Sequence, residues 1–331
     1  MTSSHEFHFT STDGSSIACA RWDAPQPAKA IVQIAHGMGE HIGRYHETIE
    51  LLVSAGFTVY GNDHRGHGRT ALRSGQLGVF GEGGFDLLVR DMVRLSAIAR
   101  RENPALPLFL LGHSMGSFAA QHYALDHSRE IDGLILSGSG ALDRLAHLAA
   151  STPSTTNLLN ARFEPARTPL DWLSRDQTVV DAFIGDPLCF PELRPQALAS
   201  FLGAGLRLSD PSSSAIQRDL PVYLFSGSED PVGEQLEGVR VLIERYRAAG
   251  IHDITTAFYS GGRHEMLNET NRAEVRARLV AWLRSTLKCR VVRSLGEQLS
   301  TAPLRRGGRS GGSTETAPLV GTHPQMPLEQ A

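Results

Sequence analysis

One stretch constrains the fold of this chain more than any other. Leu108-Phe109-Leu110-Leu111 leads into Gly112-His113-Ser114-Met115-Gly116, and Ser117-Phe118-Ala119-Ala120-Gln121-His122-Tyr123-Ala124 follows. The apolar run reads as a buried strand, and the residues after Gly116 read as the start of a helix. Between them, G-x-S-x-G describes a sharp strand-to-helix turn. Such a turn forces the serine out at the edge of a sheet and leaves nearby backbone N–H groups free. Gly112 and Gly116 stand where side chains would collide in that turn. A second G-x-S-x-G, Gly308-Arg309-Ser310-Gly311-Gly312, has no strand before it and no helix after it. It reads as part of a tail.

The rest of the chain agrees with a sheet that feeds helices. Short apolar runs occur at Ala30–Ala35, Thr58–Gly61, Leu134–Leu136, Val222–Phe225 and Thr256–Tyr259. Helical stretches are expected at about 44–55, 84–102, 116–127, 234–249 and 271–287. Continuous apolar strands alternating with helices predict an α/β fold with a mostly parallel, doubly wound sheet. At the N-terminus two alternating runs flank Asp13-Gly14, which predicts a hairpin. Between Ser137 and Val222 no strand is evident, and a structureless loop of that length is implausible. Helical fragments near 142–150, 154–160, 176–184 and 194–208, broken by prolines 153 to 195, predict a helical lid. The expected organisation is therefore core 1–141, lid 142–218, core 219–289 and an unstructured tail 290–331 rich in Gly, Pro, Ser and Thr.

Composition narrows the function classes. The 331 residues are 20% charged and 41% hydrophobic, with a formal net charge of −3. This is ordinary for a globular protein, and it argues against nucleic acid as the main partner. No apolar run reaches the roughly 18–20 residues of a membrane span. The first residues show neither the basic nor the apolar region of a signal peptide. Cys19, Cys189 and Cys289 are far apart and lack metal-ligand spacing, which reads as reduced thiols in a cytoplasmic protein.

A serine hydroxyl becomes a nucleophile only beside a base, and the base needs an orienting acid. On a turn of this kind the chain order is serine, acid, histidine. Downstream of the Val222–Phe225 run, Ser226-Gly227-Ser228-Glu229-Asp230-Pro231 places two acids just past a strand's carboxyl end. Asp230 is preferred, with Glu229 as the neighbouring alternative. Tyr259-Ser260-Gly261-Gly262-Arg263-His264 places a histidine after the last strand. Ser114, Asp230 and His264 can thus converge on one edge. An oxyanion hole needs backbone N–H donors. Met115 supplies one, and Met38 in His36-Gly37-Met38-Gly39-Glu40 supplies the other, with Gly37 and Gly39 allowing close approach. A third cluster, Gly61-Asn62-Asp63-His64-Arg65-Gly66-His67-Gly68-Arg69, has no completing ligand downstream. It reads as a hydrogen-bonded loop supporting the site, and no metal is expected.

Together, His36-Gly37-Met38-Gly39-Glu40-His41 with Gly43-Arg44-Tyr45, the 61–68 cluster, and Gly112-His113-Ser114-Met115-Gly116-Ser117 resemble the monoacylglycerol lipase and lysophospholipase branch (serine aminopeptidase S33-like) of the α/β-hydrolases. Leu173-Ser174-Arg175-Asp176 with Asp186-Pro187-Leu188 resembles a cap motif of bacterial members. The resemblance spans about residues 5–288. It departs at Thr70, where a serine is common, and it does not extend to the tail. It implies a hydrolase of single-chain carboxylic esters such as monoacylglycerols, working without a cofactor. Ser114 would be nucleophile, His264 base, Asp230 acid, and Met38 and Met115 oxyanion donors. The acyl chain is expected under the lid, against Leu142, Leu145, Leu158, Leu159, Phe183 and Phe201. An aspartate at the elbow would mark a dehalogenase or epoxide hydrolase, and this chain has Ser114. Lysophospholipase, short-chain esterase, peptidase and acyltransferase remain alternatives, as does a catalytically inactive ligand-binding fold. Transient contact of the apolar lid with a membrane surface is a further reading. The oligomeric state is left open.

Overall fold

A computed structural model describes residues 3–25, 27–151 and 155–301. Eight strands form one sheet: β1 (Ser4–Thr10), β2 (Ser16–Trp22), β3 (Ala30–Ala35), β4 (Phe57–Asn62), β5 (Leu108–His113), β6 (Gly133–Ser137), β7 (Val222–Gly227) and β8 (Ile254–Tyr259). Their spatial order is β1-β2-β4-β3-β5-β6-β7-β8. The N-terminal hairpin pairs antiparallel, β2 joins β4 antiparallel, and every later pairing is parallel. Strands β3, β4, β5, β6 and β7 are buried at every residue. That explains their unbroken apolar runs: both faces of a parallel sheet are covered.

The helices are α1 (His46–Ser54), α2 (Gly68–Ser74), α3 (Gly84–Glu102), α4 (Met115–His127), α5 (Leu142–Ala150), α6 (Thr155–Asn160), α7 (Gln177–Gly185), α8 (Pro195–Gly203), α9 (Gly205–Leu208), α10 (Glu237–Ala248) and α11 (Arg272–Thr301). Two apolar layers result. Ile49 and Leu52 of α1 and Val275, Leu279 and Leu283 of α11 cover one face. On the other face, α3, α4 and α10 bury Leu88, Met92, Phe118, Leu242 and Tyr246. Helix α3 shows the reason in its sequence: Phe85, Leu88, Val89, Met92, Leu95 and Ala99 recur at helical spacing and are among its buried residues. The one polar side chain inside β3, Gln33, is satisfied: its amide donates to Met92 O at 3.0 Å and its carbonyl accepts from Ser96 Oγ at 2.7 Å.

The segment without strands holds α5 to α9. Its apolar residues join the same core layer as α3 and α4, so this cap is packed onto the sheet domain.

The chain divides into a unit over Met1–Leu287 and a second from Lys288 onward. The expected unstructured tail from 290 needs correction, because the α11 backbone is helical through Thr301. Between Leu287 and Thr301 there is no proline and one glycine, and Pro303 is the first residue that cannot continue a helix. Composition averaged over the whole tail moved the boundary too early. Residues 302–331, including the second G-x-S-x-G, lie outside the described residues.

The strand order reverses at β3, which lies between β4 and β5. In open α/β sheets the crevice at the carboxyl ends of such strands is where ligands bind. Ala35 pairs with Gly112, so the loop after β3 and the turn after β5 meet there.

Candidate active site

Ser114 caps β5 in a strained conformation, with φ 52° and ψ −124°. Positive φ is uncommon for a residue with a side chain and clusters at functional sites. The Ser114 N–H is tied to Ser137 O of β6 at 2.9 Å. The turn is crowded on both sides. A Cβ on Gly112 would lie 2.3 Å from Gly116 O, and one on Gly116 would lie 2.2 Å from Ala35 O. Only glycine fits either place. Met115 opens α4, where the first N–H groups have no intrahelical acceptor.

Asp230 and His264 arrive from the ends of β7 and β8. They are 0% and 1% exposed, and His264 Nδ1 lies 2.9 Å from Asp230 Oδ1. Asp230 Oδ1 also accepts the Val232 N–H at 3.0 Å, and Oδ2 accepts from Ser226 Oγ at 3.3 Å. A carboxylate at Nδ1 puts the ring proton there and leaves a lone pair on Nε2. That Nε2 is buried and has no partner. Burial pulls the His264 pKa down, but the charge and hydrogen bond of Asp230 outweigh it, and the net shift is upward. His113 packs its ring 4.8 Å from that of His264, and burial with this neighbour lowers its pKa to about 4. Glu229, the alternative acid, turns outward: it is 40% exposed and pairs with Arg162 at 3.0 Å.

Ser114 and His264 line one cavity of about 30 Å³, together with Gly37, Met38, Glu40, His113, Glu265 and five cap residues. The loop after β3 is held from below. His36 Nδ1 bonds Gly37 O at 2.8 Å, and its Nε2 accepts the His64 N–H at 2.9 Å. Asp63 takes the Ile42 N–H and the N–H and Nε of Arg69. His36, His64 and His67 pack as a buried ring cluster. Burial lowers all three pKa values, that of His67 to about 3. The histidines of the 61–69 loop are therefore neutral, packed under the site beside the Asp63–Arg69 ion pair.

Among the described residues, His41, Asp186 and Cys189 bring three potential ligand atoms within 4.8 Å of one another. Their hydrogen bonds argue for a latch. The Gly43 N–H donates to His41 Nδ1 at 3.2 Å, so the proton sits on Nε2 and points at Asp186 Oδ2, 2.9 Å away. A metal would need that same Nε2 lone pair.

The cap closes the cavity with Leu170, Trp172, Leu173, Phe183 and Pro191. Of the six apolar lid residues expected around an acyl chain, only Phe183 is among the lining residues. Leu142, Leu145, Leu159 and Phe201 are buried within the core layer, and Leu158 is half-buried. Trp172 and Leu173 line the cavity without having been expected there, although Leu173 opens the cap motif Leu173–Asp176 and Trp172 directly precedes it. The cap is stitched to the site by backbone. The His264 and Glu265 N–H groups donate to Trp172 O (3.4 Å) and Leu173 O (2.8 Å), and Phe190 N–H donates to Gly39 O at 2.9 Å. The Trp172 ring sits 4.9 Å from His264. Small-molecule pockets usually run about 300–1,000 Å³, so this narrow cavity is too small for an acyl chain as it stands.

Similarity to known proteins identifies the family. The family model described as serine aminopeptidase, S33, matches residues 26–271. The chain is 30% identical over 284 residues to a monoacylglycerol lipase of Mycolicibacterium smegmatis, covering 85% of this chain and 98% of that one. It is 29% identical to the monoglyceride lipase of Mus musculus, covering 79% and 84%. Among solved structures, a thermostable carboxyl esterase from Bacillus coagulans in complex with glycerol superposes with a TM-score of 0.77 at 30% identity, covering 87% of this chain and all of that one. The chain thus belongs to the serine aminopeptidase S33 family of α/β-hydrolases, on its monoacylglycerol-lipase-like branch.

Proposed function

We propose that the protein hydrolyses carboxylic esters of single-chain lipids, monoacylglycerols foremost, through a Ser114–His264–Asp230 triad and an acyl-enzyme. Membership of a branch that holds monoacylglycerol lipases makes the chain a carboxylic-ester hydrolase. The observation that carries the reading is the state of His264. Its Nδ1 is engaged by Asp230, its Nε2 is buried and unpartnered, and it lines the same cavity as Ser114.

In the proposed reaction, His264 Nε2 takes the Ser114 proton as Oγ attacks the ester carbonyl. The oxyanion rests on the Met38 and Met115 amides. The alcohol leaves with a proton from His264, and a water activated by the same nitrogen then releases the fatty acid. Asp230 holds the tautomer and stabilises the imidazolium. The apolar cap residues over Ser114 favour an acyl chain on that side, and the cap has to shift to admit one.

A substrate panel tests the reading: monoacylglycerols, lysophospholipids, short p-nitrophenyl esters and aminoacyl amides, with Ser114→Ala as control. Monoacylglycerols should be turned over fastest, and a fluorophosphonate probe should label the protein but not Ser114→Ala. An intact protein that neither labels nor turns over any ester would establish a binding module instead.

A further inference from the structure

Two carboxylates outside the triad line the cavity. Glu40 and Glu265 are only 3% and 4% exposed. Like charges buried this close are costly unless a counter-charge with good geometry joins them. Arg44 supplies it. Its Nη1 lies 2.6 Å from Glu40 Oε2 and 2.7 Å from Glu265 Oε1, and its Nη2 lies 2.8 Å from Glu265 Oε2. One planar fork therefore grips one carboxylate with two N–H groups and shares a nitrogen with the other. A lysine, as a point charge, cannot reproduce this.

The two carboxylates belong to different halves of the chemistry. Glu40 Oε1 accepts the Gly37 N–H at 2.5 Å and the Tyr45 hydroxyl at 2.7 Å, and Gly37 precedes Met38. Glu265 directly follows His264, and its own N–H is fixed on Leu173 O of the cap. A third element completes the set: the Phe183 ring of α7 lies under the guanidinium, 4.8 Å from its carbon. Burial opposes the Glu40 charge, but the Arg44 guanidinium prevails and holds its carboxyl at about 2.

We propose that Arg44 is a positioning residue: shared between Glu40 and Glu265, its guanidinium sets the spacing between the Met38 amide and the His264 ring. The Phe183 ring on its face makes that spacing depend on the closed cap. This rests on the roles proposed above for Ser114, His264 and Met38. Misplacing reacting groups by about 1 Å can cost roughly 100-fold in rate, which is the scale expected here.

The test uses the full chain and a soluble short-chain p-nitrophenyl ester. Arg44→Lys should fold, lose about 100-fold in kcat, and keep KM within about threefold. Guanidinium ion at millimolar concentration should restore part of the activity of Arg44→Ala and leave wild type unchanged. A folded Arg44→Lys with kcat within about twofold of wild type, or a loss confined to KM, overturns the proposal. If circular dichroism shows that neither Arg44 variant folds, Glu265→Gln decides. It should lower kcat about tenfold and move the acid limb of the pH profile down, because a charge that favours the imidazolium is removed. A wild-type kcat and limb in Glu265→Gln refute it. Ser114→Ala separates the two levels. If it stays active, the triad reading falls and takes this proposal with it. If it is dead while Arg44→Lys is normal, only the role of Arg44 falls.

Discussion

Replacing Asp230 by asparagine separates what its charge does from what its shape does. Oδ1 of Asp230 receives two donors, His264 Nδ1–H and the Val232 N–H, while Oδ2 receives Ser226 Oγ. An asparagine serves both donors only with its carbonyl in the Oδ1 position, and its amide then meets the Ser226 oxygen. The structure therefore favours retention of the His264 tautomer, so that Asp230→Asn removes mainly charge. For charge centres about 4 Å apart at an effective dielectric of about 20, that charge contributes about 4 kcal/mol to the imidazolium. At about 1.4 kcal/mol per decade this is roughly a 1,000-fold loss. A flipped amide would trap the wrong tautomer and push the loss toward about 10⁴. The assay is kcat/KM against pH on a soluble ester. In the proposed mechanism the neutral imidazole is the base, and its pKa lies above the ordinary 6.5, so the wild-type rate should rise through that higher value to a plateau. In Asp230→Asn the limb should move down, since the partner that raised it has lost its charge. Glu229→Gln, at a surface pair with Arg162, should stay within about twofold of wild type. An Asp230→Asn enzyme within tenfold of wild type, an unmoved limb, or a crippled Glu229→Gln would refute the argument.

Three further outcomes follow from the structure. The buried neutral histidines His36, His64, His67 and His113 have lowered pKa values, so the unfolded chain binds protons that the native chain does not. Stability should therefore fall as pH drops from about 6.5 toward about 4 and 3. His264 has the opposite sign: its contribution is complete below 6.5 and is lost as pH rises through its raised value. His8 and His122 are lowered as well, so six histidines oppose one; the melting temperature by differential scanning fluorimetry should decline on acidification, and a flat or rising profile would contradict this. Gly116→Ala places a carbon 2.2 Å from Ala35 O; overpacking of this kind costs about 1–3 kcal/mol, so a lowered melting temperature with lost activity is expected, and an unchanged, active variant would show that the turn relaxes freely. Each methylene buried against the cap should contribute about 0.8 kcal/mol, roughly fourfold in kcat/KM per carbon. Trp172→Ala should shift the preference toward longer chains, and a flat profile in both proteins would remove the cap from acyl recognition.

The sheet was legible because parallel strands buried on both faces write themselves as apolar runs, as in Ala30–Ala35 and Leu108–Leu111. The elbow was legible because Gly112, Ser114 and Gly116 fall within five residues between an apolar run and a helix start, although the carbonyl that crowds Gly116 is Ala35 O of β3. The proximity of Ser114, Asp230 and His264 follows from the order in which strand ends reach one edge. The cavity wall was not legible. Apolar character marks burial but not the surface it is buried against, and Leu142, Leu145, Leu159 and Phe201 share their chemistry with Leu170 and Leu173. In the sequence Arg44 stands out only as part of the Gly43-Arg44-Tyr45 motif. Its partner Glu265 lies 221 residues away, a distance that no local pattern spans.

The backbone seams between cap and core decide what an exchange of the cap must preserve. A cap grafted from a relative at its two ends, near residues 142 and 218, would keep its helices and still break the site unless it brought carbonyls equivalent to those of Trp172 and Leu173 for the His264 loop, and an amide equivalent to that of Phe190 for Gly39. A transplanted cap would therefore have to retain the segments at 170–176 and 186–191, which carry the backbone contacts of Trp172, Leu173 and Phe190. The seam that such an exchange must respect runs inside the insertion rather than at its ends.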